Sequence, residues 1–477
     1  MEEGHVDKIL AASQASHSDY DDSEFTWTEA EEKALVRRTD LLVMPLLILG
    51  FFALQLDRGN IGNALTDFFL ADVGINQSQF NIGQLLLSAG IVILEIPSTL
   101  VLYKVGPTVW IGGQIVAWGL VATFQAFQKG VGAYMATRLL LGLCEAGFIP
   151  AGLYTITRWY KRDETSKRFS WFFIGNMLAV ACSGLIAYGI LHMRGVAGLA
   201  GWQWLFLIEG MFTVLVGFIF ISFFPYSSSN PVSIFGFRYF TERESQILHR
   251  RVLLDDHSKQ HTRQTVSGKE LKTALTNWKL IPHLLLAILG LPASSTMFAY
   301  APTLVISFGY DRLTSNAMVS IGCWILLVTN ISWGMIADKT GRRGVMVSLG
   351  LLLYWGAVLG NRLLVESTNS NLRFGVLTLA IIFSSNWHPV NGSWMALNTQ
   401  TSGERSITMA MFIMAANTAG IIGSQLFQQP DSPLYKTGWT LIVALVSVAF
   451  VASIAGNVQY CLLNKRQEKT GGEKYKL

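Results

Sequence analysis

The sequence is short of charge. Only 14% of its 477 residues are Asp, Glu, Lys or Arg, where soluble domains carry roughly 25%. With 51% hydrophobic residues and a mean hydropathy of +0.39, that deficit excludes an ordinary soluble domain and points to a membrane protein. Cysteine is scarce too. Cys144, Cys182, Cys323 and Cys461 sit in apolar segments at unrelated spacings, which excludes a disulfide framework and leaves them as small buried hydrophobes. No His/Glu cluster stands at metal-ligand spacing and no Ser/His/Asp set falls in plausible span positions, so no metal, no other cofactor and no enzymatic activity are expected. The Gly-x-x-x-x-Gly-Lys-Ser/Thr run of ATP-driven machines is missing. A net charge of +5 is too mild for a nucleic-acid partner and fits basic loops beside a bilayer. Residues 1–40 are polar and acidic, without the basic and apolar regions of a signal peptide. They read as a disordered cytoplasmic tail ending in a short amphipathic stretch.

What the chain does have is apolar runs. A bilayer span needs about 20 mostly apolar residues. Candidates fall near 42–62, 80–102, 108–127, 132–156, 169–192, 203–224, 281–305, 315–337, 344–362, 373–395, 406–427 and 438–462. The tenth is the weakest, because "NWHPVNGSW" (Asn386 to Trp394) interrupts it. The expected fold is all-α and integral to the membrane: twelve helices in two pseudo-symmetric six-helix bundles, residues 41–225 and 281–463. A polar linker, 226–280, joins them inside the cell, and 464–477 form a short cytoplasmic tail. With the N-terminus inside, 28 of the 36 Lys and Arg fall on the inner side, 6 on the outer side and 2 within spans. That bias places both termini in the cytoplasm. The halves echo each other: Gly106, in "YKVGPTVW" after span two, and Gly341, in "ADKTGRRG" after span eight, stand 235 residues apart. Matching six-span halves are the pattern of a secondary transporter that rocks one bundle against the other.

A charge at mid-membrane costs at least ~2.5–3.5 kcal/mol and is kept for a function or a partner. Asp57, Arg58, Glu95, Arg138, Glu145 and Glu209 lie within spans. The guanidinium fork of Arg58 matches a carboxylate in two parallel hydrogen bonds, which makes it the first candidate for an anionic substrate. The other reading is an internal ion pair with a carboxylate on another helix. Asp57, turned about 100° from Arg58, suits a gate or a helix end. Arg138 and Glu145 stand seven apart on span four, so both face one side, ~10 Å apart and not paired directly. Arg138 is a second substrate candidate. Glu145, in the apolar setting "LCEAGF", is the candidate proton site, able to load a proton outside and release it inside. A permanent pair between Glu145 and an arginine such as Arg58 stays open as the alternative. Glu95, before Pro97, reads as a gate or packing residue. In the second half, "NWHPVNGSW" offers His388 and Asn391 beside a helix break, and broken helices line cavities in transporters. "RWYKRDETSKR" (Arg158 to Arg168) reads as an inner anchor or as a salt-bridge latch between the bundles. Asn76 opens an "NQS" sequon in the first outer loop, a candidate for glycosylation.

"GMIADKTGRR" (Gly334 to Arg343) resembles the loop pattern of the major facilitator superfamily, Gly-x-x-x-Asp-x-x-Gly-Arg-Arg. The resemblance implies gating or structural roles for Asp338, Arg342 and Arg343. The first-half copy, "STLVLYKVGPTVW", lacks the Asp and the Arg pair. "LDRGNIGNA", "LEIPSTLVL", "TRLLLGLCEAGFIPAGLY", "RWYKRDE" and "GWQWLFLIEG" look, in that order, like the anion:cation symporter family, and most like its fungal allantoate permease branch. This implies proton-coupled import of a small organic anion of carboxylate, vitamin or ureide type, by a monomer in a fungal plasma membrane. The branch usually carries a Thr-Lys-Arg run after span ten, where this chain has "SGERS" (Ser402 to Ser406). Export of a secondary metabolite and non-transporting nutrient sensing are the alternatives; the short C-terminal tail speaks against the sensor.

Overall fold

Helix formation starts at Thr28. Its hydroxyl accepts the Glu31 amide at 3.2 Å while the Glu31 carboxylate takes the Thr28 amide at 2.9 Å, a reciprocal cap. Glu29, Glu31 and Glu32 then place negative charge at the positive end of the helix dipole. Span one is therefore a single helix, Glu29–Ala64, and the stretch from residue 29 to 40, expected as the end of a tail, continues it. The structure, a computed structural model, describes residues 26–255, 268–399, 402–471 and 474–476. The expected disorder of residues 1–25 and part of the linker lie outside them.

The other spans are two (Gln77–Val105), three (Pro107–Phe124), four (Gly130–Glu145 and Phe148–Trp159), five (Arg162–Leu191) and six (Gly201–Phe223). The second half holds seven (Ile281–Ser307), eight (Thr314–Thr340), nine (Arg343–Leu363), ten (Ser370–Phe383 and Trp387–Leu397), eleven (Ser402–Gly423) and twelve (Lys436–Thr470). Ten of the described helical stretches are long and apolar enough to cross a membrane. Span ten falls short because it is in two pieces, and span eleven because its apolar part is only Ile407–Gly423.

Packing repeats with a shift of six spans. One lies on five, three on six and two on four; seven lies on eleven, nine on twelve and eight on ten. Across the halves, five meets eight, two meets eleven and one meets seven. Gly106 and Gly341 close spans two and eight at φ 91° and 64°, backbone that glycine adopts without strain. The linker helix Glu242–Asp255 lies on the first half, with Ile247, Leu248 and Val252 buried.

Span four breaks at the candidate proton site. Glu145 ends its first piece, Ala146 is extended and Gly147 takes φ +82°. The freed backbone groups are met from neighbouring spans. Gln114 donates to the Ala146 carbonyl at 2.7 Å, and the Gly147 amide donates to Glu95 at 3.1 Å. A carbonyl or amide left alone in lipid costs several kcal/mol, so this bracing permits the break.

Candidate functional site

The charges of spans one, four and six gather in the first half. Arg58 donates from Nε to Glu145 Oε2 at 2.6 Å; its side chain is 21% exposed, and that of Glu145 is fully buried. Arg58 makes no other hydrogen bond among the described residues, so the two terminal nitrogens of its fork stay open. The two readings left open by the sequence thus meet in one pair. Arg138 is fully buried against the Tyr134 ring, 5.7 Å from its centroid, and none of its three guanidinium nitrogens has a hydrogen-bond partner among the described residues. It does not bond to Glu145, as their spacing predicts. Asp57 turns to span six, where Thr213 donates to it at 2.8 Å. Asp57 Oδ1, Glu145 Oε1, both amide atoms of Asn60 and both carboxyl oxygens of Glu209 lack partners among the described residues. Each unmet buried polar group costs about 1–3 kcal/mol. Buried polar groups normally find partners, and this cluster holds several that find none among the described residues. Glu95 is drawn away from it, as a brace for the break in span four.

In the second half His388 opens the lower piece of span ten. Its ring stacks on Phe412 at 4.6 Å and its Nδ1 has no partner among the described residues. Asn391 is placed differently from the sequence expectation. His283 Nδ1 donates to Asn391 Oδ1 at 2.6 Å, Asn391 Nδ2 donates to the His283 carbonyl at 3.1 Å, and Tyr460 donates to His283 Nε2 at 3.0 Å. That set ties spans seven, ten and twelve and holds the fully buried Asn391 amide against His283 through one donor and one acceptor. A fixed neutral tautomer of His283 follows from the network.

At the end away from the termini the halves are joined. Asp67, just past span one and fully buried, accepts Arg312 of the second half at 2.5 Å and Arg194 of the first at 3.0 Å, with the Trp202 amide at 3.0 Å. Arg312 also donates to the Thr66 carbonyl at 2.9 Å, and Asn316 donates to the Thr66 hydroxyl at 2.9 Å. Asn81 donates to the Phe427 carbonyl at 2.8 Å and accepts from Tyr300, and Tyr435 donates to Gln77 at 3.2 Å. Gly62 lets span one touch span seven: a Cβ there would stand 2.9 Å from the Phe298 carbonyl. Asp311 anchors the start of span eight; the Thr314 amide and then the Thr314 hydroxyl hold its carboxyl below the usual range. Sequence reasoning missed Asp67 and Arg312: Arg312 entered only in the tally of outer-side basic residues, and Asp67 was given no role.

At the end that carries the termini, Lys161, Glu164 and Arg168 of "RWYKRDETSKR" pair within the first half and with the linker helix. Lys161 pairs with Glu32, Glu164 with Arg251 of the linker helix, and Arg168 grips Asp40 at 2.6 and 2.8 Å. The partners are there because span one runs back to Glu29. Asp338 and Arg343 pair with each other at 2.6 Å within the second half, and Arg342 is exposed. Glu404, in the departing "SGERS", accepts from Asn277 at 3.0 Å. Asn76 is exposed and caps span two through the Gln79 amide at 2.9 Å.

Comparison with known proteins agrees with this architecture. The sequence profile described as Major Facilitator Superfamily matches residues 47–424. An uncharacterized transporter of Saccharomyces cerevisiae is 30% identical over 453 residues, which span 94% of this chain and 83% of that protein. The MFS-type transporter cnsO of Penicillium expansum is 25% identical over 458 residues, 94% of this chain and 87% of its own. Among solved structures, the xylose transporter XylE from E. coli in a partially occluded inward-open conformation shares the fold, with a TM-score of 0.66 at 13% identity over 86% of this chain and 97% of that one.

Proposed function

The chain belongs to the major facilitator superfamily and is a multi-pass membrane transporter, not an enzyme, and we propose that it imports a small organic anion together with a proton. The observation that carries this reading is the half-used fork of Arg58. Glu145 occupies Nε alone, and the two terminal nitrogens stay open on a partly exposed side chain. Two parallel N–H groups on a permanent cation fit a carboxylate. A second cation, Arg138, stands unpartnered on the next element of the cluster.

The pair also supplies a coupling rule. While Glu145 is ionised it holds Arg58; a proton on Glu145 cancels that attraction and frees the guanidinium for the substrate anion. Anion and proton then cross together with the site near neutrality, which spares the cost of an unpaired charge in the membrane. His388 is the second-half candidate for the substrate, and Asn391 is left out because His283 holds it. Asp57 shapes the cluster, Glu95 braces the break in span four, and Asp338, Arg342 and Arg343 finish the span-eight loop. The basic bias of the loops supports cytoplasmic termini, which makes the end closed by Asp67 the outer gate and leaves Asn76 on the glycosylated side. The five motifs named above support the anion:cation symporter branch, and an acid exterior at a fungal plasma membrane supplies the driving force for import.

The test is uptake of a panel of labelled carboxylates into yeast lacking its own carriers, at an acid outside pH of about 4.5 and a near-neutral one of about 7.5, which differ in the proton supply from outside. One acid accumulating faster at low pH, and failing to do so with Arg58→Ala, upholds the reading. Tolerance to an added metabolite with no acid taken up establishes export instead.

A further inference from the structure

The residues 474–476 are gripped by the second half in a manner the transport cycle does not explain. Tyr475 donates its amide to Asn464 Oδ1 at 2.7 Å, and its carbonyl accepts Asn464 Nδ2 at 3.0 Å. One position on, the Lys476 amide donates to Asn398 Oδ1 at 2.8 Å, and its carbonyl accepts both Asn398 Nδ2 at 3.1 Å and Trp394 Nε1 at 2.9 Å. Two asparagine amides thus read the N–H and C=O of two consecutive residues, as a neighbouring strand would. The Tyr475 ring lies 5.7 Å from that of Tyr460, and its hydroxyl accepts Lys279 Nζ at 2.6 Å.

The geometry points to a peptide-binding clasp at the terminus-bearing end of the second half, whose occupant is the chain's own segment Lys474–Lys476. Its ligand class is an extended backbone with one phenolic side chain. The asparagines recognise main chain and are indifferent to sequence; the Tyr460 face and Lys279 select tyrosine at the first gripped position. The clasp draws on three places at once: Lys279 before span seven, Trp394 and Asn398 at the end of span ten, and Tyr460 and Asn464 of span twelve. Trp394 and Tyr460 in turn pack on His283, at 4.7 and 5.6 Å between rings. The seated segment therefore staples the ends of spans seven, ten and twelve, and restrains Asn398, which closes span ten.

Hydrogen exchange of the full-length protein in nanodiscs, read by mass spectrometry, tests this without any knowledge of the substrate. The amides of Tyr475 and Lys476 are expected to exchange at least tenfold more slowly than in a free peptide of the same sequence. The double variant Asn398→Ala/Asn464→Ala returns them to the free rate while spans one to six stay protected. Tyr475→Ala, which alters only the occupant, gives at least threefold faster exchange at Lys476 and at the Asn398 amide. Free-peptide exchange of Tyr475 and Lys476 in the unaltered protein overturns the clasp. A released segment with unchanged exchange at Asn398 overturns the staple.

Discussion

Arg58 and Glu145 meet at 2.6 Å, 87 residues apart in sequence, through one guanidinium nitrogen out of three. A pair committed to structure alone would gain from closing the fork on both carboxyl oxygens. Here Glu145 Oε1 stays unpaired and the outer face of Arg58 stays open. Removal of one partner from a buried pair costs about 3–5 kcal/mol, whereas replacing both by apolar groups is often neutral. Arg58→Leu is therefore expected to lower the melting temperature and to abolish uptake. Arg58→Leu/Glu145→Leu regains most of the melting temperature and stays inactive. Recovery of uptake in the double variant removes the pair from the mechanism.

Arg58→Lys separates charge from fork. Lysine keeps the cation but loses the two-point contact, and a hydrogen bond to a charged group contributes about 1.5–3 kcal/mol. The KM for the transported anion should rise about 10- to 100-fold, with kcat much less affected. An unchanged KM means the anion is held elsewhere.

Glu145→Gln keeps the shape and removes the proton site. Pre-loaded cells or vesicles should still exchange labelled for unlabelled substrate, while accumulation driven by an acid exterior is lost. Because glutamine, like protonated Glu145, has no charge to hold Arg58, exchange should also become independent of pH. Accumulation that survives the substitution moves the proton to another carboxyl of the cluster, Asp57 or Glu209.

Asn391→Ala, by contrast, is a stability change. It leaves the His283 Nδ1–H and carbonyl without the bonds now made at 2.6 and 3.1 Å in a buried setting, at about 1–3 kcal/mol for each group left unsatisfied. The melting temperature should fall while the KM of the remaining folded protein stays put. A raised KM at an unchanged melting temperature returns Asn391 to the substrate site.

Periodicity and length made the architecture legible. The runs from residue 42 to 462 and the Gly106–Gly341 repeat reappear as helices and caps, because each is a local property of its own stretch, whereas span ten breaks at residues 384–386 and most of "NWHPVNGSW" lies in the helix Trp387–Leu397 that follows. The seven-residue step from Arg138 to Glu145 correctly kept those two from bonding. Pair identities were another matter. Arg58–Glu145, Asp67–Arg312 and Asn391–His283 join residues on different helices, and a face tells nothing of which helix comes to lie against it. The break in span four was hidden as well, because Glu95 and Gln114, which meet the freed backbone, come from spans two and three and leave no sign in "LCEAGF" itself. Asp67 drew no reading from the sequence, because an acidic residue past the end of an apolar run shows nothing of its partners, yet two arginines and a backbone amide meet it and it is fully buried.

The ties at Asp67 differ in what they hold, and that separates a gate from a brace. Arg312 crosses between the halves, through Asp67 at 2.5 Å and the Thr66 carbonyl at 2.9 Å, so it must let go for this end to open. Arg194 belongs to the same half as Asp67 and moves with it. Ser88, on span two beneath the closed end, lies beside Gly420 of span eleven and reports entry. In a background without the four native cysteines, Ser88→Cys should react slowly with a membrane-impermeant maleimide added outside. Arg312→Ala removes about 1–3 kcal/mol of preference for the closed form, so labelling should quicken about 5- to 100-fold, while Asp67 keeps Arg194 and the Trp202 amide and the protein stays folded. Arg194→Ala leaves the cross-half tie in place and should label at the slow rate. Equal acceleration by both arginine variants makes Asp67 a brace for the fold, and equal indifference puts the gate at Asn81 and Tyr300 instead.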